Sequence, residues 1–397
     1  MVLGGVFLAF MWFQGHKPST KGLETQSYPE IQELSKSQKN FSELTDYFQD
    51  IAKNKGGRYA FDILRLAPIP PNIDIHLLGH AIGDILYQQE GAGGMTACTN
   101  DFRNACSHSI VVGLFFDEGE EALETISQVC RQAPGGTGAY TMCFHGLGHG
   151  ILAYADYDMQ KAAEICNRAG TKEYNYRENS ECIGGTVMEI IGGGFHDKEL
   201  WAKQRVKYLD AKQPTSLCYK PFIPENARYM CFVYLTPFMF EAVGADLGRP
   251  GPEEFTKSFK FCESEAGAMR DACFGGFGKE FIVLAQDRDI RQSQFEKTTD
   301  EQLARVYDWC KLASIKEGTA ACINHAASSL YWGGENNRSV AIRFCGLMQD
   351  NEYFQGSCVH NMIQSVAVYI SDQSYRRQFC GEIPEKYSDE CLNLLIK

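Results

Sequence analysis

The sequence predicts an all-α protein, a disulfide-stapled array of α/α hairpins that forms a solenoid or closes toward an α/α toroid. Three observations carry this. The sixteen cysteines stand at alternating short and long intervals. The stretches inside each short interval are turn formers. The stretches on either side are apolar runs with helical rather than alternating period.

In order, the cysteines pair across the short gaps as Cys98 with Cys106, Cys130 with Cys143, Cys166 with Cys182, and Cys218 with Cys231. The series continues as Cys262 with Cys273, Cys310 with Cys322, Cys345 with Cys358, and Cys380 with Cys391. Short gaps run from 8 to 16 residues and long gaps from 22 to 37. Short amphipathic runs such as "DMQKAAEIC" and "SVAIRFC" precede the first cysteine. Longer glycine-containing runs such as "CIGGTVMEIIGG", "CFGGFGKEFIVLA" and "CVHNMIQSVAVYI" follow the second. Turn-forming segments such as "RQAPGGTGAYTM" and "GEIPEKYSDE" lie between. Each unit thus reads as helix, loop, helix, with a disulfide joining the end of one helix to the start of the next. Closing a loop of this size stabilises by ~3 kcal/mol in the chain-entropy model. An unstapled hairpin comes first: "GGRYAFDILRL", the turn "APIPPN", then "DIHLLGHAIGDILY", with Asp74 where the others carry cysteine. The last unit, ending "CLNLLIK", is truncated. The array covers residues 41–397 with about eight hairpins, and repeats of roughly 35 to 50 residues built from helical pairs stack one on the next.

Composition narrows the class. The chain is 44% hydrophobic and 22% charged, ordinary for a folded protein. Its net charge of -12, without a basic cluster, argues against a nucleic-acid partner. No C-x-x-C occurs, so the usual spacing of zinc ribbons and thioredoxin-type sites is missing. An even cysteine count without that spacing points to disulfides and an oxidising, extracytoplasmic compartment, periplasmic or cell-surface. The competing reading is sixteen buried thiols in a cytosolic chain. Residues 2–13, "VLGGVFLAFMWF", are apolar and uncharged. They are too short for a spanning helix of ~20 residues and read as a hydrophobic anchor or signal remnant through which the protein meets a membrane. Residues 14–40 read as a polar linker. The sequons at Asn40 and Asn337 are too common by chance to carry weight.

The C-x7-C of Cys98 and Cys106, with its longer relatives, resembles the cysteine-rich Sel1-like repeat proteins, TPR-like secreted α/α solenoids with one disulfide per hairpin. The resemblance implies a fold and an extracytoplasmic setting. The family's leucine-glycine and tyrosine signature before a G-x-G turn is not reproduced. Members of that family are linked to β-lactam binding or hydrolysis, but no residue here matches a motif that carries the activity, and an S-x-x-K serine is absent.

Histidines are the candidate functional groups. Numbered from the second cysteine of each unit, or from Asp74, position two holds His76, His108, His145 and His360. Position six holds His80 and His149. These positions share one helix face. His325 is one position off it, and His16 and His196 lie elsewhere. Histidines at i and i+4 can bind one metal through their ring nitrogens. The six are therefore candidate ligands for zinc, copper or a haem iron. Helices 8–10 Å apart would leave the pairs of the first and third units ~20 Å apart in an open array, so a single shared site requires closure. Glu189 and Glu280, in apolar helices, are candidate ligands, general acid/base groups, or ion-pair partners for Lys279 and Arg270. The bland alternatives are structural histidines hydrogen-bonded to carbonyls, glycines that serve only helix packing, and core roles for Phe115, Phe116, Tyr154 and Tyr157. Trp201 reads as the anchor of an inserted helix.

Three functions follow. One is an exported, membrane-tethered repeat protein whose histidine-lined groove binds a protein, peptide or glycan. Another is a metal- or haem-dependent protein using the two H-x-x-x-H pairs. The third is a hydrolase of the cysteine-rich repeat type. No G-x-S-x-G elbow, P-loop, H-E-x-x-H or dinucleotide fingerprint fixes a reaction.

Overall fold

The computed structural model describes residues 28–193, 197–246, 249–333 and 338–396, and all regular structure among them is helical. The apolar segment 2–13, His16, His196 and Asn337 lie outside the described residues. Eight cysteine pairs stand at disulfide distance, and each joins neighbours in the chain. They are Cys98–Cys106, Cys130–Cys143, Cys166–Cys182 and Cys218–Cys231 in the first half. In the second half they are Cys262–Cys273, Cys310–Cys322, Cys345–Cys358 and Cys380–Cys391. The pairing across short gaps read from the sequence is thus the pairing found, and none of the sixteen is a free thiol. This is consistent with an oxidising location. No helix among the described residues is long and apolar enough to cross a membrane.

After α1 (Ile75–Glu90), which has no cysteine pair, the second cysteine of each pair lies within a helix rather than ahead of it: α2 (Ala105–Glu118), α3 (Gly136–Tyr154), α4 (Arg177–Gly192), α5 (Arg228–Tyr234), α6 (Gly267–Ala285), α7 (Lys316–Gly333), α8 (Glu352–Tyr369) and α9 (Ser388–Leu395). Each packs on the next. In α1, Asp74 takes the place of a staple: its carboxylate accepts from the backbone N–H of Leu77 at 3.1 Å and caps the helix. Pro237 breaks the fifth of these helices. It has no N–H to donate, so α5 stops at Tyr234 and a separate turn of helix runs Thr236–Ala242.

Three readings are corrected. The tail of the presumed linker 14–40 is ordered as Pro29–Leu34, with Leu34 buried and Glu30 paired with Lys55 at 2.5 Å. It is followed by Phe41–Lys55, started by an Asn40/Glu43 capping box. The segments before Cys98 and Cys218 are 3-10 turns (Gly91–Ala97 and Pro214–Tyr219) rather than amphipathic α-helices. Phe115 and Tyr157 are buried as core residues, but Phe116 is 42% exposed. Trp201 does anchor its helix, donating from Nε1 to the Glu189 and Ile190 carbonyls at 3.1 Å.

The succession of helices bends back on itself. Arg291, almost fully buried, donates to the carbonyls of Leu64 (3.2 Å) and Ala67 (2.5 Å), and the Asn72 N–H reaches the Asp287 carbonyl at 2.8 Å. Arg103, just before α2, reaches the Lys279 carbonyl on α6 and Ser329 on α7. The Arg177 guanidinium lies over the Tyr369 ring at 4.6 Å. The first units therefore touch the sixth and seventh.

Candidate metal centre

Glycines set the spacing of α1, α2 and α3. A Cβ on Gly79 would come within 2.8 Å of the Ala105 Cβ, and one on Gly83 within 2.7 Å of the Ser109 Cβ. One on Gly146 would stand 2.6 Å from the His108 Cα. With backbones this close, rings from three helices meet. The His108 ring centroid is 5.7 Å from His76, 5.6 Å from His80, 5.6 Å from His145 and 5.9 Å from His149. His80 and His149 are 6.3 Å apart. The rings thus converge as in the curved alternative and not at the ~20 Å of an open array, with small residues letting these helices sit close.

His360 does not join the cluster. It is half exposed on α8, paired with Glu390 at 2.5 Å and donating from Nδ1 to the Gly356 carbonyl. Glu280 also lies apart, paired with Lys279 at 3.3 Å. Glu189 does border the cluster: it accepts from His149 Nδ1 at 3.0 Å and from the Tyr157 hydroxyl at 3.4 Å.

Hydrogen bonds fix the protons on two rings. The Phe102 carbonyl, 2.6 Å from His76 Nδ1, can only accept, so that nitrogen carries the proton. Ser109 donates its single hydroxyl proton to the His80 carbonyl at 3.1 Å. Its oxygen must then accept from His80 Nδ1, also at 3.1 Å. Both Nε2 atoms are left as lone-pair donors to a cation, and they face each other at 3.2 Å. His108, buried with no hydrogen-bond partner on either ring nitrogen, completes the set. Ligand atoms of His76, His80 and His108 all lie within 4.8 Å of one another. A metal 2.0–2.1 Å from each nitrogen in tetrahedral geometry needs N···N separations of roughly 3.3 Å. The His76–His80 pair already has this, and His108 needs only a small inward shift.

The second pair differs. His149 donates to Glu189 and presents Nε2 to His145 Nε2 at 3.2 Å. His145 Nδ1 makes no well-formed hydrogen bond and meets the Glu181 backbone only weakly; with its proton on Nε2 instead, His145 donates to His149. Glu189, His149 and His145 then form a satisfied chain without a metal. Burial pushes His76 down to about 4, and pushes His108 and His145 well below the usual range, with neighbouring imidazoles adding to the effect. These rings are neutral at pH 7, the form that binds metal.

Beyond His145 the lining changes. Its ring packs on that of Tyr234 at 4.3 Å, and the Lys279 ammonium lies over the Tyr234 ring at 4.2 Å. Tyr229 meets His325 Nε2 at 2.7 Å. Burial, then the charge of Lys279, lowers His325 to about 4. The tyrosine hydroxyl therefore donates to a neutral imidazole.

Ser109, Tyr234, Arg103 and the Phe102 carbonyl escaped the sequence reading. Ser109 sits one position past His108 and offered a weak signal as a hydroxyl in an apolar helix. The Phe102 carbonyl offered none, because a left-handed run aims it: Phe102, Arg103 and Asn104 have φ of 57°, 51° and 65°. Such residues cost roughly 1–2 kcal/mol each. Compared with known proteins, the chain matches no family model, no curated protein and no solved structure.

Proposed function

We propose that this chain is an exported α/α-hairpin repeat protein whose curled interior holds one transition-metal ion on His76, His80 and His108. The observation that carries the reading is the pair of Nε2 lone pairs aimed at each other at 3.2 Å, with both Nδ1 protons committed elsewhere. Like charge density at that distance is unfavourable unless a cation lies between, and burial disfavours a proton in that role. Three neutral imidazoles suit zinc or copper and leave a coordination position open, as catalytic zinc sites do. Rings only 4.6–6.3 Å apart favour a bare ion over haem, since no slot for a macrocycle separates them. Glu189, His149 and His145 lie beside the ion and are suited to hold or pass a proton. An oxidising compartment and a tether through residues 2–13 belong to the same proposal, as does a family tie to the Sel1-like repeats.

Metal analysis of untagged protein tests it. We expect about one equivalent of zinc or copper in the wild type, from the one three-histidine set found among the described residues. His80→Ala and His108→Ala should lose most of it, whereas His360→Ala should keep it. Wild-type protein that takes up no more metal than the His76/His80/His108 triple-alanine variant would leave only structural histidines.

A further inference from the structure

Arg103 is a charge without a carboxylate partner. Its guanidinium reaches into the interior from the left-handed run before α2, and it is part-buried. Its hydrogen bonds are two long ones to neutral oxygens, the Lys279 carbonyl at 3.5 Å and Ser329 Oγ at 3.4 Å. Among the described residues no carboxylate stands within ion-pair distance of it. Glu280 acts on it through space but is engaged by Lys279 at 3.3 Å. The charged groups acting on Arg103 are Glu280 and Asp74 against Arg288, with the Tyr234 hydroxyl near them. A part-buried guanidinium whose carboxylates act on it only from a distance has less counter-charge than normally offsets its desolvation. Beside it, the Lys279 side chain is 18% exposed and held over Tyr234.

We infer that Arg103 and Lys279, with Ser329 on α7, form a subsite for a small oxyanion, a carboxylate or a phosphate, with Tyr234 between it and the histidine cluster. A planar guanidinium binds such groups through two parallel N–H donors, and an adjacent ammonium adds a third. The subsite stands on its own geometry and needs no metal in the histidines. If an ion is held there, the ligand is an anion whose far end approaches it, which makes a small anionic molecule the substrate class.

Calorimetric titration of the full chain with inorganic phosphate and with succinate tests this at pH 7, on chelator-treated and on zinc-loaded protein. We expect saturable binding of at least one probe, equal within about twofold in the two preparations. The preferred probe tells phosphate from carboxylate. Arg103→Gln and Lys279→Gln should each weaken it at least tenfold, Arg103→Lys by less, and Glu280→Gln should tighten it by removing the competing carboxylate. Should Arg103→Gln fail to fold, Lys279→Gln and Glu280→Gln decide. Absence of binding by either probe overturns the subsite, as does undiminished binding in a folded Lys279→Gln variant. Binding seen only after zinc loading overturns it too, because the anion would then sit on the ion, an outcome that leaves the metal reading intact.

Discussion

Ser109 decides more about the histidine cluster than its size suggests. Its one proton goes to the His80 carbonyl, which forces His80 to present Nε2 inward. Groups that orient a metal-binding imidazole in this way are typically worth 10–100-fold in metal affinity. Ser109→Ala should therefore keep the fold and weaken zinc binding about tenfold in competition with a chromophoric chelator. Unchanged affinity would mean that the tautomer is not held by this contact. His325 gives the second prediction at this scale. Its folded value, lowered to about 4, lies below the ordinary 6.5 of an unfolded chain. As pH falls below 6.5 the unfolded state takes up this proton first, so the stability contributed by the neutral ring is lost between about 6.5 and 4 and is fully present above 6.5. The melting temperature of the wild type should accordingly drop more between pH 7 and about 4.5 than that of His325→Gln. Equal drops would show that the site does not titrate as its burial requires.

At the scale of elements, one contact occurs twice. A Cβ on Gly148 of α3 would come within 2.0 Å of the Cys182 carbonyl, and one on Gly278 of α6 within 2.0 Å of the Cys322 carbonyl. Both glycines stand five residues after the second cysteine of their unit, Cys143 and Cys273. The α3–α4 and α6–α7 pairs are thus built on the same backbone approach. The histidines of the first pair find their counterparts in the second at Gly275 and Lys279. At these two positions α3 carries imidazoles, whereas α6 carries a glycine, against which the His325 ring of α7 packs, and a charge. Because the obstacle is a carbonyl and not a flexible side chain, Gly148→Ala and Gly278→Ala should each destabilise by about 3 kcal/mol or more in denaturant unfolding. Gly346→Ala, whose Cβ would meet nothing within 4 Å, should change stability by less than about 0.5 kcal/mol. A Gly148→Ala variant as stable as the wild type would mean that α3 and α4 pack less closely. The helical hairpins were legible because cysteine spacing and turn residues mark each one. The opening helix Phe41–Lys55 was missed although Asn40 and Glu43 form a capping box, a signal that the sequon reading of Asn40 obscured.

For the whole molecule, staples and closure do different work. The disulfides act within hairpins, from Cys98–Cys106 at one end to Cys380–Cys391 at the other, and a non-reducing peptide map should yield only bridges between neighbouring cysteines. A bridge from Cys130 or Cys143 to any cysteine of another unit would contradict this. Contacts such as those of Arg291 act between distant hairpins. That guanidinium is buried, paired with Asp289 at 2.5 Å, and holds carbonyls more than two hundred residues away in the chain. Arg291→Met leaves Asp289 and those carbonyls unanswered and should cost about 3 kcal/mol. It should also raise amide exchange around residues 64–72 while exchange within the stapled hairpins stays slow. Uniform loosening of every hairpin would contradict the division of roles.

The sequence by itself determined the helical class, the pairing of its cysteines and the placing of the five clustered histidines on the same face of their helices, because helical period and loop length are local properties of the chain. Only the tertiary structure decided that those five rings converge while His360 turns away to Glu390, and that Arg103 and Lys279 meet across the interior. Those outcomes depend on how closely glycines let backbones approach and on where the curved succession of helices returns. Both are sums of small displacements over hundreds of residues, which no short window of sequence contains.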